Sequence, residues 1–188
     1  MLDHTTLRTG PLPDEMRILL KDYPRDDWEN HPGFKDKTRQ WLAAHQMFQR
    51  LGEVVRLDTQ DYLDKDQDAQ QFASGLSYFG NRLVGNLHGH HGWEDHYYFP
   101  ELSAADPRFD AGLAILEQDH ANLDSVLEEF TSAANRAIKL VQLDENSARD
   151  EAGKLHSAIV RIEELLQRHL RDEEELAVPI ILHHRLRG

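Results

Sequence analysis

The sequence predicts an all-α protein, an up-down-up-down antiparallel four-helix bundle with an irregular N-terminal extension. From Phe34 onward the apolar residues recur every three or four positions, which is the period of a helix, and the pattern of a strand is negligible. Polar, turn-forming breaks separate four long segments, and short connections between long helices favour antiparallel neighbours. We therefore expect an extension at residues 1–34 and the bundle at residues 35–188.

The individual elements follow from prolines and polar breaks. The extension contains four of the seven prolines, which opposes a long helix there, and only residues 14–21 have a helical pattern. The breaks within the bundle read DTQDYLDKDQD, SAADPRF and VQLDEN. The bundle helices are expected at about residues 35–61, 67–103, 109–139 and 145–185.

Composition excludes several classes of function. The net charge of -13 opposes binding to nucleic acid or to an anionic membrane. The absence of cysteine excludes disulfides, thiolate metal sites and thiol catalysis. The N-terminal residues lack a basic region followed by an apolar run, and no apolar run is long enough to span a bilayer. We expect a soluble cytoplasmic protein.

Two segments share one pattern of titratable residues. HHGWEDHYYFP at 90–100 and HLRDEEELAVP at 169–179 both contain His, three residues, Glu, an acid, four residues and Pro. Residues four apart lie on one face of a helix. In both segments the His and the Glu fall on the apolar face, so each of these helices is expected to turn a His–Glu pair inward.

Each His–Glu pair is preceded by a single histidine on the previous helix. These are His45 and His120, and each lies in the apolar stripe of its own helix. Burying a polar group without a partner costs roughly 2–7 kcal/mol, so six converging groups need compensation. Four imidazoles and two carboxylates without a thiolate suit iron, manganese or zinc, and six ligands exceed one tetrahedral site. Two metal ions therefore fit better than one. The candidate ligands are His45, His90, Glu94, His120, His169 and Glu173.

These residues resemble the hemerythrin-like (HHE cation-binding) family of four-helix bundles, which hold a non-haem di-iron centre. The resemblance covers about residues 35–185, and its most specific part is the block at 90–100, which is similar to the family's second-helix signature. Ferritin-like di-iron bundles are the nearest alternative. Their motif is Glu-x-x-His with single glutamates on the other helices, whereas here His precedes Glu by four and the single candidates are histidines.

The resemblance implies the six residues above as ligands, with Glu94 and Glu173 as bridging carboxylates. It implies two iron ions joined by an oxo or hydroxo group, with zinc or manganese as alternatives. The implied function is binding or sensing of a small ligand such as O₂, NO or peroxide. The alternatives are a di-iron oxidase or peroxide-consuming enzyme and an iron-handling protein, so the sequence leaves open whether the chain is an enzyme. It also indicates no particular protein partner.

The chain departs from the family at the third helix. Oxygen-carrying hemerythrins have a His four residues before the third-helix ligand, where this chain has Leu116. The lost ligand leaves a position that stays open, takes a water molecule or is filled by a neighbour, and His91 and Glu117 are the candidate neighbours. Glu174 is a rival to Glu173 if a π-bulge presents it.

The remaining titratable residues in these segments have other expected places. His88, His91 and His96 lie off the proposed ligand stripe and are expected at the surface or beside the ligands. Asp95 and Glu174 are expected either in solvent or beside the ligands, where they would orient histidines through the free ring N–H. Tyr97 continues the inward stripe of the second helix and is expected inside the bundle.

Overall fold

The computed structural model describes Arg8 and residues 10–186. Three short 3₁₀ helices, Asp14–Met16, Ile18–Lys21 and Arg25–Asn30, precede four long helices. The long helices are α1 (Asp36–Asp64), α2 (residues 69–105), α3 (Asp110–Leu140) and α4 (Glu145–His184). No strand occurs among the described residues, so the predicted all-α helical bundle is confirmed, and each helix end lies within a turn of its expected position.

Some predicted parts lie outside this description. Residues 1–7 and 9 belong to the predicted extension, and residues 187 and 188 to the end of the predicted bundle. The division into an extension at 1–34 and a bundle at 35–188 stays a prediction. Within the described chain, none of the helices combines the length and apolar character needed to cross a bilayer.

The helix boundaries have local causes. The side chain of Asp68 accepts hydrogen bonds from the backbone N–H groups of Gln70 and Gln71 and so caps the start of α2. Lys65, with φ of 68°, adopts the left-handed conformation just after α1. Helix α4 continues through Pro179 to His184, so this proline does not end the helix.

Helix α2 contains two π-helical turns, Leu76–Gly80 and Glu94–Tyr98. A π turn holds more residues than an α turn, so it rotates every following side chain around the helix axis. This rotation corrects one prediction. Tyr97, expected inside the bundle, is 69% exposed, whereas Tyr98 is 1% exposed. The α-helical period assumed from the sequence does not hold across Glu94–Tyr98.

The chain divides into two compact units, and the candidate site lies in the first. This unit comprises the described parts of Met1–Gln46, His90–Asn122 and Gln167–Gly188. Its apolar core includes residues from the N-terminal segment as well as from the long helices, and each large side chain buried there contributes about 1.5–3 kcal/mol. Core members from the N-terminal segment are Leu12, Leu19, Trp28 and Phe34.

The second unit comprises Met47–Gly89 and Leu123–Leu166. The ring of Tyr62 stacks on that of Phe72 with 4.2 Å between centroids, and the guanidinium of Arg149 lies over the Tyr62 ring. The inward stripe of α4 in this unit is buried as the helical period predicts. Its members are Leu155, Ile159, Ile162 and Leu166.

Candidate metal centre

One cluster of potential metal ligands combines α1, α2 and α4. It contains His45, His90, Glu94 and Glu173, and one donor atom of each lies within 4.8 Å of the others. The Nε2 atom of His90 is 3.0 Å from Nε2 of His45 and 2.8 Å from Oε1 of Glu94. All four residues were predicted as ligands from the sequence, and the structure brings them together.

A second cluster contains three histidines, His91, His120 and His169, again with donor atoms within 4.8 Å. The Nε2 atoms of His120 and His169 are 3.0 Å apart. The ring of His91 stacks on that of His120, with centroids 4.1 Å apart. His120 and His169 were predicted ligands, and His91 was the open alternative.

Two carboxylates lie between the clusters. Glu94 directs Oε1 toward His90 in the first cluster, and its Oε2 is 3.6 Å from Nε2 of His120 in the second. The Oε2 atom of Glu173 is 3.5 Å from Nε2 of His45 and 3.9 Å from Nε2 of His169. Each carboxylate therefore reaches imidazoles of both clusters.

Several buried polar atoms here have no hydrogen-bond partner among the described residues. They are both oxygens of Glu173, Oε2 of Glu94 and both ring nitrogens of His91. Glu173 and Glu94 are fully buried, and His91 is 2% exposed. Such groups are costly unless a cation or a donor compensates them. Imidazoles and carboxylates without thiolates are the donors that suit iron, zinc or manganese, so the residues fit a metal site.

The electrostatics of the two central carboxylates differ. Burial, and then the negative charge of Glu94, raise the pKa of Glu173 well above its usual value. Burial acts in the same direction on Glu94, but hydrogen bonds to His45 and His90 outweigh it and lower the Glu94 pKa. An added cation would favour the charged form of both carboxylates.

Two histidines of the second cluster are held neutral. Burial lowers the pKa of His169 to about 4. The hydrogen bond to Asp119 raises this pKa, and the charge of His120 lowers it further. Burial, followed by the charges of His120 and His169, brings the pKa of His91 well below its usual value. Neutral imidazole is the form that binds metal.

Acidic residues hold the outer nitrogens of the histidine rings. The Nδ1 atom of His45 is 2.9 Å from Oε1 of Glu174, and that of His120 is 2.7 Å from Oδ1 of Asp95. These contacts fix the rings and leave both Nε2 atoms for the clusters, as expected from the sequence. Asp119 lies 3.6 Å from Nδ1 of His169, a position to which the sequence analysis assigned no role.

Three arginines that precede α1 form ion pairs with acidic residues around the histidine rings. Arg8 contacts Asp119 and Asp172, both at 2.5 Å. Arg25 lies 2.6 Å from Glu174. Arg17 pairs in the same way with Glu175. Sequence reasoning missed these arginines, because nothing in the spacing of isolated basic residues indicates which acids they will meet.

The open alternatives have different outcomes. Glu117 is exposed and belongs to neither cluster, so this candidate replacement for the lost ligand is excluded. His91 is buried, which excludes the surface interpretation, while His88 and His96 are exposed. Leu116 is fully buried in the apolar core, and the third histidine of the second cluster comes instead from α2. Helix α4 contains no π turn, so Glu174 stays outside both clusters.

Two further features lie near the first cluster. The indole N–H of Trp41 donates to Oε1 of Glu94 at 2.7 Å. A cavity of about 380 Å³ is lined by residues that include Trp28, Phe34, Arg25 and Glu174. Glu174 therefore contacts His45 and also borders an open cavity, which the sequence did not reveal.

A helical bundle that buries imidazoles and carboxylates in two adjoining clusters defines a metal-binding protein. The family model for the hemerythrin HHE cation-binding domain matches residues 36–181. The chain belongs to this family, and the resemblance seen in the sequence is confirmed. No curated protein and no solved structure shows significant similarity to the chain.

Proposed function

We propose that the chain binds two iron ions in a non-haem centre and that this centre binds or senses a small ligand such as O₂, NO or peroxide. The observation that carries the proposal is the pair of clusters joined by Glu94 and Glu173. One ion would be held by His45 and His90, and the other by His91, His120 and His169. The two glutamates would bridge them.

The second cluster adds His91 to the six ligands predicted from the sequence, which supports a centre with seven protein ligands. His91 has two buried nitrogens without hydrogen-bond partners among the described residues, and it stacks on a proposed ligand. A ferrous pair supplies electrons and open coordination positions to a small oxidising or π-accepting ligand. The protein's own residues hold the ions, orient the rings through Asp95 and Glu174, and exclude bulk water.

A peroxide-consuming or oxidase activity is the second candidate. The cavity beside Glu174 favours it, because a turnover enzyme needs access for a second reactant. Glu174 lines this cavity and also contacts the proposed ligand His45. We also propose, as alternatives, an iron-handling role and zinc or manganese in place of iron, and we propose a cytoplasmic location.

The test is elemental analysis of the full chain after anaerobic loading with ferrous iron. We expect about two irons per chain, and about one in His91→Ala, because that substitution removes a ligand from one cluster only. His88→Ala changes an exposed histidine of the same helix and should keep the full content. Two irons in both variants would exclude His91 as a ligand, and no iron in the parent would contradict the proposal.

The ligand is tested on the loaded protein by optical titration with NO, O₂ and hydrogen peroxide in separate anaerobic cells. A binding or sensing protein should give a stable spectral change that saturates at a fixed ratio of ligand to chain. Continuous loss of added peroxide, with the iron retained, would favour the enzyme instead. Spectra that none of the three reagents changes would exclude both functions.

A further inference from the structure

Three aromatic rings in contact extend from the proposed centre to solvent. Trp41 donates its indole N–H to Glu94, and its ring lies 5.2 Å from the ring of Tyr98. Tyr98 stacks on Trp93 with 5.2 Å between centroids and 27° between planes. Trp41 and Tyr98 are 5% and 1% exposed, whereas Trp93 is 38% exposed. We call Trp41, Tyr98 and Trp93 the aromatic chain.

Core packing does not account for this arrangement. Large aromatic side chains stabilise a fold most when they are fully buried, yet Trp93 leaves over a third of its surface in water. The middle ring also depends on the π turn Glu94–Tyr98, which turns Tyr98 inward in place of Tyr97. The same turn contains Glu94, so one irregularity places both the bridging carboxylate and the ring beside Trp41.

We propose that the aromatic chain carries single electrons between the protein surface and the metal centre, an inference that rests on the proposed function. The rate of electron transfer falls steeply with the gap between donor and acceptor, and contacting aromatic rings leave only short gaps. Indole and phenol are the most readily oxidised side chains of a protein without cysteine, and this sequence has none. The proposed ligands are at most 9% exposed, so a bulky redox reagent does not reach them directly.

The step balances because one electron is taken and one is supplied, and Tyr98 bridges the two indoles without being oxidised, so that its O–H bond stays intact. An oxidant at the surface takes one electron from Trp93, Trp93 regains it from Trp41 across the ring of Tyr98, and Trp41 would regain it from a bound ferrous ion, which would be left ferric. The oxidant is reduced by one electron, and the N–H proton of Trp41 stays on its nitrogen in the hydrogen bond to Glu94. A reductant at Trp93 drives the same path in reverse and returns a ferric ion to the ferrous state.

The experiment uses flash-generated tris(bipyridine)ruthenium(III) as the surface oxidant, with the full chain either iron-free or loaded with ferrous iron. Transient absorption follows the indole radical and the ferric product. We expect iron to shorten the lifetime of the radical by about an order of magnitude, with the ferric signal rising at the same rate. Equal lifetimes with and without iron would overturn the inference.

Matched variants locate the path. In Tyr98→Leu the radical should still form at Trp93, but iron should no longer shorten its lifetime. Trp93→Leu alters a partly exposed side chain and should lower the initial yield of the indole radical. If Tyr98→Leu does not fold, this yield tests whether the path begins at Trp93. Trp28→Phe removes a buried indole of the same unit outside the aromatic chain and should behave like the parent.

Iron analysis of every sample separates the two proposals. A parent chain that takes up no iron contradicts the proposed function and the electron path together. A parent that holds about two irons, with lifetimes that neither iron nor Tyr98→Leu changes, contradicts the electron path alone.

Discussion

The Nδ1 atom of His45 lies 2.9 Å from Oε1 of Glu174, and the other oxygen of this carboxylate lies 2.6 Å from Arg25. Glu174 therefore orients a proposed ligand on one side and anchors the N-terminal segment on the other. Burial opposes ionisation of Glu174, but the hydrogen bonds to His45 and Arg25 outweigh it and lower its pKa. The carboxylate is ionised near neutral pH and acts on the outer nitrogen of His45.

Glu174→Gln should weaken iron binding without abolishing it. The amide keeps the size of the side chain but loses the charge that holds the His45 ring, and loss of such an outer partner typically costs 10–100-fold in metal affinity. Competition with a chromophoric chelator measures the change. Glu164→Gln, at an exposed acid of the same helix, is the control. Equal affinities for the two variants would show that Glu174 has no orienting role.

Glu94→Ala should lose metal and, in the presence of iron, unfold at a lower temperature than the parent. The substitution removes the carboxylate that reaches both clusters, and metal bound only to the native state stabilises it. His96→Ala should do neither, because this histidine is exposed and contacts only the carbonyl of Gly92 among its described hydrogen bonds. Iron content and thermal unfolding are measured on both. If the two variants match the parent, the proposed ligand set is wrong.

Helical periodicity was sufficient to predict the four long helices and the inward His–Glu pair of α4, because α4 keeps one period along its length. It failed after Glu94, since a π turn is set by packing and leaves no mark in the sequence pattern. His91 lies before that turn, in the regular segment Asn81–Trp93 and four residues after the buried Leu87, so its burial agrees with the helical period and the sequence analysis placed it on the wrong face. The arginine contacts of the N-terminal segment are non-local and depend on tertiary packing, so no spacing rule predicts them.

Arg8→Ala should destabilise the fold and loosen the second cluster. Asp119 and Asp172 are 5% and 1% exposed, and both lose their 2.5 Å contact with Arg8 in this variant. Unpaired buried charges cost several kcal/mol, but Arg8 is partly exposed and Leu12 N–H still donates to Asp172, so we expect a loss of roughly 1–3 kcal/mol. Urea unfolding measures it. Arg161→Ala breaks an exposed pair with Glu129 and should cost at most about 1 kcal/mol.

Asp106 should contribute to stability in a pH-dependent way that does not involve metal. Its carboxylate receives hydrogen bonds from Arg108 and lies 2.9 Å from Nε2 of His184; Arg108 is the main cause of its lowered pKa, against the opposing effect of burial. A lowered pKa in the folded state means that the stabilisation is complete above the unfolded value of about 4. It is lost as the pH falls below that value.

Asp106→Asn therefore should lower the unfolding temperature at pH 7, and this difference from the parent should shrink progressively below pH 4. The measurement is thermal unfolding of iron-free protein across this range, which keeps metal release from contributing. Asp110→Asn, at an exposed acid four residues further along the chain, is the control. A difference that stays constant from pH 7 to pH 3 would show that the Asn variant is destabilised by altered packing, and the charge of Asp106 would then have no part in stability.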